Sequence, residues 1–230
     1  MKILVVVAHP DDEVLGCGGT IAKHSSNGDT VNSIIVAEGL TSRDNIRKTD
    51  FRKKELEKLK LHSLKAAKIL GIKSTHFFDL PDNRLDSVDL IDITKKIEQY
   101  VFKLKPDIIY THHYGDLNID HRTVHNAVMT ACRPFSSHFI KKILTFENPS
   151  STEWQSLSFN SYFKPNYFEN IETHINKKIR AMKQYKTELK KWPHTRSLEF
   201  LNILAKFRGS ISGLKYAEAF FVERIINNKK

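Results

Sequence analysis

Five consecutive apolar residues, Ile3 to Val7, run directly into Ala8-His9-Pro10-Asp11-Asp12-Glu13. A β-branched run of that length reads as a buried strand. An imidazole and two carboxylates therefore emerge together where a strand gives way to a helix. His9 and Asp12 are three residues apart on a chain turned by Pro10, so a ring nitrogen and a carboxylate oxygen can converge on one cation. Zinc accepts such a mixed nitrogen and oxygen set. Asp11 faces another way and is left to take a proton from a water that the ion activates. The competing structural reading is an acidic helix start, in which Asp11, Asp12 and Glu13 complement the helix dipole and His9 only caps the strand.

A second cluster weighs against that bland reading. Asp107-Ile108-Ile109-Tyr110-Thr111 reads as another strand, followed by His112, His113, Asp116, Asn118, Asp120 and His121 before a helical pattern over Arg122 to Cys132. In open α/β sheets, ligands collect outside the carboxyl ends of strands, so two such loops face one crevice. His121 is the expected third ligand. It completes a His/Asp/His set with one coordination position left for water, as in catalytic rather than structural zinc sites. Asp120, next to it, is expected to orient a neighbouring imidazole through its N–H.

The segments AHPDDE, GCGGTIA and THHYGDLNIDHR together resemble the PIG-L or LmbE-like family of zinc-dependent N-deacetylases that act on N-acetylated sugars. Residues 82–86, 151–154, 193–197 and 216–220 resemble a bacterial branch of it. The resemblance implies that His9, Asp12 and His121 hold Zn2+ or another first-row divalent metal and that Asp11 is the general base. It also implies the products, acetate and a free amine. In several members a histidine stands three residues before the third ligand. Here that position is Asn118, so His113 and His194 become the candidates for the general acid. Glu218 enters as a substrate contact through the resemblance alone.

Alternating strand and helix patterns predict a single-domain, Rossmann-like α/β fold whose mostly parallel sheet is flanked by helices. Strands are expected at Thr30 to Ala37, Ser74 to Leu80 and Lys141 to Glu147, with Phe220 to Ile226 a last edge strand. Helices are expected over Arg52 to Leu70, Val88 to Leu104, Ile171 to Lys191 and Ser197 to Arg208. Asp82, Asn83 and Arg84 follow the third strand and lie on the rim shared by His9 and His121, where they can bond sugar hydroxyls. A simple turn is the alternative, because Pro81-Asp82-Asn83 is good turn chemistry. Arg43 follows the second strand in the same sense and can meet a substrate phosphate or carboxylate. Gly16, Gly18 and Gly19 lack the dinucleotide spacing and follow three acids, so they read as close helix–sheet packing. His24, His62, His76, His125, His138 and His174 read as ordinary histidines.

At 230 residues the chain suits one domain with a full core. No segment reaches the roughly 18 apolar residues of a membrane span. Cys17 and Cys132 lack a paired motif, which fits a reducing, cytoplasmic compartment. The expected partner is a small N-acetylated sugar or sugar conjugate, with no nucleic acid, and a homo-oligomer is left open. The rival reading starts from the net charge of +11 and from residues 41–75, where eleven Lys or Arg face four Asp or Glu. That rival is a non-catalytic, metal-stabilised or nucleic-acid-binding protein. The basic helix lacks the interleaved aromatic residues that stacking on bases requires, so a solvated face is the better reading.

Overall fold

The computed structural model describes residues 1–134, 140–156 and 162–227; His138 lies outside them. Seven strands among these residues form one sheet: β1 (Lys2–Val7), β2 (Thr30–Ala37), β3 (Ser74–Leu80), β4 (Ile108–His112), β5 (Lys142–Phe146), β6 (Tyr167–Asn170) and β7 (Ala217–Ile225). Their order is β3-β2-β1-β4-β5-β7-β6. The first five are parallel, and β7 pairs antiparallel with both β5 and β6. Among the described residues, six α-helices flank the sheet: α1 (Asp12–Ser26), α2 (Lys53–Leu70), α3 (Leu90–Leu104), α4 (Ile119–Ala131), α5 (Ile175–Met182) and α6 (Leu198–Ile211). The expected α/β class and mostly parallel sheet are what the chain forms.

Successive side chains of a strand point to opposite faces, and here both faces are covered. Ile3, Val5 and Val7 pack with Tyr110, Leu144 and Phe146 on one side, and Leu4, Val6 and Ala8 with Ile34, Ile109 and Val124 on the other. This two-sided burial explains why β1 is an unbroken apolar run rather than an alternating one. The chain leaves β1 for β2 on one side and returns to β4 on the other. The crevice beyond β1 and β4 is therefore the point where strand order reverses, the usual ligand position in this architecture.

Two expectations fail. The strand near Phe220 is not an edge: β7 lies between β5 and β6, and β6 is the edge. At four residues β6 is too short to show a periodic signal. The helix expected from Ile171 to Lys191 ends at Met182. Beyond it the chain runs without a further α-helix to Ser197, because the side chains of Tyr185 and Glu188 are drawn into buried hydrogen bonds at the carboxyl edge of the sheet. Tertiary partners there override local helix propensity.

The glycines of α1 act in packing, as expected. A Cβ on Gly16 would sit 2.1 Å from the Phe146 ring, and one on Gly19 would sit 2.8 Å from Ile171. The helix breaks at Cys17, whose φ is −141°. The second half restarts on the Glu218 carboxylate, which accepts from the backbone N–H of Gly19 (2.9 Å) and Thr20 (2.7 Å). An anion at a helix start satisfies otherwise orphaned donors. On α2, Leu59, Ala66 and Leu70 are buried while most lysines stay in solvent. No helix among the described residues is long and apolar enough to cross a membrane.

Candidate active site

His9 and Asp12 arrive at the crevice on the turn between β1 and α1, and His121 arrives on the first turn of α4. His9 Nδ1 lies 3.3 Å and His121 Nε2 3.4 Å from Asp12 Oδ2. Two donors about 2.1 Å from a tetrahedral zinc ion are separated by about 3.4 Å, so the spacing fits a shared cation. One ligand atom from each of the three residues lies within 4.8 Å of the others, and all three residues are buried. Both ring nitrogens of His121 and Asp11 Oδ2 are buried without a hydrogen-bond partner. Such orphaned atoms are rare unless an ion or reactant completes them. A second grouping, His9 with Asp82 and Asp120, has the same compactness. Its carboxylates are already occupied by backbone N–H donors from Ser42, Asn83 and Leu85, so it reads as a cradle for His9.

Each of the three candidate ligands is held by its own neighbour. Asp120 Oδ2 lies 2.9 Å from His9 Nε2, with Asp82 Oδ1 at 3.2 Å. Asp116 Oδ1 lies 3.2 Å from His121 Nδ1 and accepts from the Ser151 hydroxyl, while Asp116 Oδ2 accepts from the Thr152 hydroxyl at 2.6 Å. Asn148 Nδ2 donates to Asp12 Oδ1 at 2.8 Å. Carboxylates behind metal-binding imidazoles fix ring orientation and basicity. Burial opposes the charge on His121, yet Asp116 and Asp12 overcome it and hold the imidazole up at about 9. Burial would also raise Asp12, but the surrounding imidazoles of His121, His112 and His9 hold it well below the usual carboxylate range. His112 stacks on His121 with centroids 3.9 Å apart and accepts the Ala8 N–H. Burial and the charge of His121 push it down to about 4, so it stays neutral.

Asp11 is unlike its neighbours. Its φ is 104°, a left-handed conformation costly for a residue with a side chain. The strain is held in place through Glu13, whose carboxylate accepts the Asp11 N–H at 3.2 Å and the Tyr185 hydroxyl at 2.6 Å. Burial lifts the Asp11 carboxyl well above its ordinary value, partly opposed by Arg196. Burial likewise raises Glu13 to about 7.

The remaining expected residues divide sharply. Asp120 orients an imidazole, but that of His9; the partner of His121 is Asp116. Asp82 is buried against His9 rather than turned to a sugar. Asn83 sits at φ 50° in the turn, donates its N–H to Asp120 and accepts from Asn118 Nδ2. Asn118 caps α4 by accepting the Asp120 N–H at 2.8 Å. That cap sets the first turn on which Asp120 and His121 stand. Arg84 reaches the carbonyl of Asp44, and Arg43 grips both oxygens of Glu188 at 2.8 Å. His113 is buried against Tyr114 and Phe163. His194 is half-buried, edge-on to Trp154, with Nδ1 accepting the Arg196 N–H. Glu218 is a correction. Its carboxylate is consumed by α1 and by Lys178 Nζ at 2.6 Å, beneath the site rather than at a substrate. The residues the sequence reading did not single out are Asp116, Asn148, Tyr185, Glu188 and Arg196. Two of them carried a signal: Asp116 lies inside the His/Asp cluster, and Arg196 lies inside the 193–197 segment that resembles the family.

Comparison with known proteins shows the family. Residues 4–132 match the family model PIG-L, described as GlcNAc-PI de-N-acetylase. The chain is similar to the "Uncharacterized deacetylase YaiS" of Escherichia coli, with 32% identity over 80% of this chain and 90% of that one. It is also similar to the diacetylchitobiose deacetylase of Thermococcus kodakarensis, with 27% identity over 94% and 81% of the two chains. The fold extends beyond deacetylases. The crystal structure of GalB, the 4-carboxy-2-hydroxymuconate hydratase of Pseudomonas putida, superposes with a TM-score of 0.74 at 20% identity, covering 100% and 99% of the chains. Fold alone therefore does not choose the chemistry. By the family match over more than half its length, the chain belongs to the PIG-L family.

Proposed function

We propose that the protein is a metal-dependent N-deacetylase that hydrolyses the acetamide of an N-acetylglucosamine-type sugar or conjugate, releasing acetate and a free amine. The observation that carries the proposal is the convergence of His9, Asp12 and His121 beside a buried, unpartnered Asp11 oxygen. Zn2+ is the first choice of ion for this donor set, with other first-row divalent ions as alternatives. Bound there, the ion supplies Lewis acidity and lowers the pKa of water.

The protein's own groups supply the proton transfers. Asp11 takes a proton from the attacking water through Oδ2, and its buried setting makes it a stronger base than an exposed carboxylate. The water oxygen adds to the acetamide carbon and the C–N bond then breaks, which requires a proton on the amine. His194 accepts at Nδ1 and so carries its proton on Nε2, the tautomer a donor to that nitrogen needs. His113, packed among aromatic rings, is the poorer candidate. Arg43 and Arg84 stand at the rim for anionic or hydroxyl groups of the substrate. Two buried, unpaired thiols support a reducing, cytoplasmic setting.

The test is acetate release from N-acetylglucosamine, diacetylchitobiose and their conjugates, combined with metal analysis. Activity is expected to vanish on chelation and return with metal, and His121→Ala is expected to lose both metal and turnover. Metal-loaded protein that releases no acetate from any member of the panel would overturn the proposal.

A further inference from the structure

The connection from α5 to α6 carries Arg196 into the site at its last turn. Its Nε donates to Ser150 Oγ at 2.6 Å, and Nη1 lies 3.3 Å from Glu188 Oε2 and 3.5 Å from Asp11 Oδ2. Glu188 is gripped in turn by Arg43. The four charges alternate in sign from half-exposed Arg43 through Glu188 and Arg196 to Asp11, which is 1% exposed. Among the described residues, Arg196 is the only ion-pair partner of Asp11, whose sequence neighbours Asp12 and Glu13 are also acids. A buried carboxylate in such company needs a countercharge.

The length of the contact is informative. A short N–H bond to Oδ2 would take one of its two lone pairs and stabilise the charged form, which weakens it as a base. Ser150 and Glu188 hold the guanidinium back, so it attracts the carboxylate without capping it. The planar fork of arginine serves all three acceptors at once, which a lysine ammonium on a flexible stem does not do.

We propose that Arg196 is the positioning residue of this reaction, holding the Asp11 carboxylate in its working orientation while leaving Oδ2 open. The proposal rests on the deacetylase reading for its kinetic consequence, though not for the Arg196–Asp11 coupling itself.

The test uses the full, metal-loaded chain. Arg196→Ala is expected to lower kcat about 100-fold, the scale of a misplaced reacting group, with KM little changed and the metal retained. Added guanidinium is expected to restore part of the kcat of Arg196→Ala and none of that of Asp11→Asn. Arg196→Lys is expected to fall between wild type and Arg196→Ala, and it serves if the alanine variant does not fold. The fall in melting temperature caused by losing Arg196 is expected to be smaller in the Asp11→Asn background. A raised KM with unchanged kcat would make Arg196 a substrate anchor and overturn the proposal. Equal falls in melting temperature in both backgrounds would also overturn it. The thermal comparison needs no turnover, so it decides the coupling even if the wild-type protein releases no acetate.

Discussion

Two clusters of buried charge lie on either side of helix α1, and they are built to opposite ends. In the lower one, Glu218 receives the N–H groups of Gly19 and Thr20 together with the Lys178 ammonium, which also bonds the Leu15 carbonyl. Lys178 and Glu218 are 3% and 4% exposed, and both are fully engaged. In the upper one, Asp11 Oδ2 and both nitrogens of His121 are buried as deeply yet form no hydrogen bond, and meet charged neighbours only at longer range, Arg196 at 3.5 Å and Asp116 at 3.2 Å. Burial of charge is thus no mark of a site. Several ionisable groups that converge with buried atoms left without a partner are, because the protein bears a cost there that an ion or reactant removes.

Three experiments sharpen that contrast. The largest effect is expected at Asp11, where Asp11→Asn leaves the metal bound and lowers kcat roughly 10³-fold, within the usual range for a positioned base. Kinetics with parallel metal analysis checks this, and an active variant would remove Asp11 from the mechanism. Next, Glu218→Ala leaves Lys178 buried and unpaired and is expected to cost about 3–5 kcal/mol. Denaturant unfolding measures that cost, while metal affinity stays at the wild-type value; loss of metal would join the two clusters into one.

The smallest effect per step concerns pH. His121 is held up to about 9 by Asp116 and Asp12 against its burial, so a metal must displace its proton. Against its burial, His9 is likewise raised by its carboxylate neighbours, so affinity is expected to weaken by at least about tenfold for each pH unit below 9, by proton linkage. The metal-free protein has the complementary behaviour. The stability supplied by charged His121 is fully present below its ordinary value of 6.5 and is lost as pH rises through about 9. Titration calorimetry and thermal unfolding of the metal-free protein read the two slopes, and Asp116→Asn is expected to flatten both.

Much of this molecule is legible in its residues. The apolar run before His9 announces a doubly covered strand, and the turn at Pro10 brings His9 and Asp12 to its end by local spacing alone. The second strand and the His/Asp series after it point to the same rim. Tertiary structure decided the rest. Asp82, Asp116, Asp120 and Glu218 are four carboxylates that look alike in sequence. Two take their places behind His9, one behind His121 and one beneath α1, according to which backbone N–H groups and imidazoles the packed sheet left without a partner. Arg196 and Tyr185 reach Asp11 and Glu13 only because a helix stops early and its continuation crosses the sheet edge. Spacing along the chain governs which side chains share a turn, whereas the partner of a buried charge is chosen by what long-range packing leaves unsatisfied beside it.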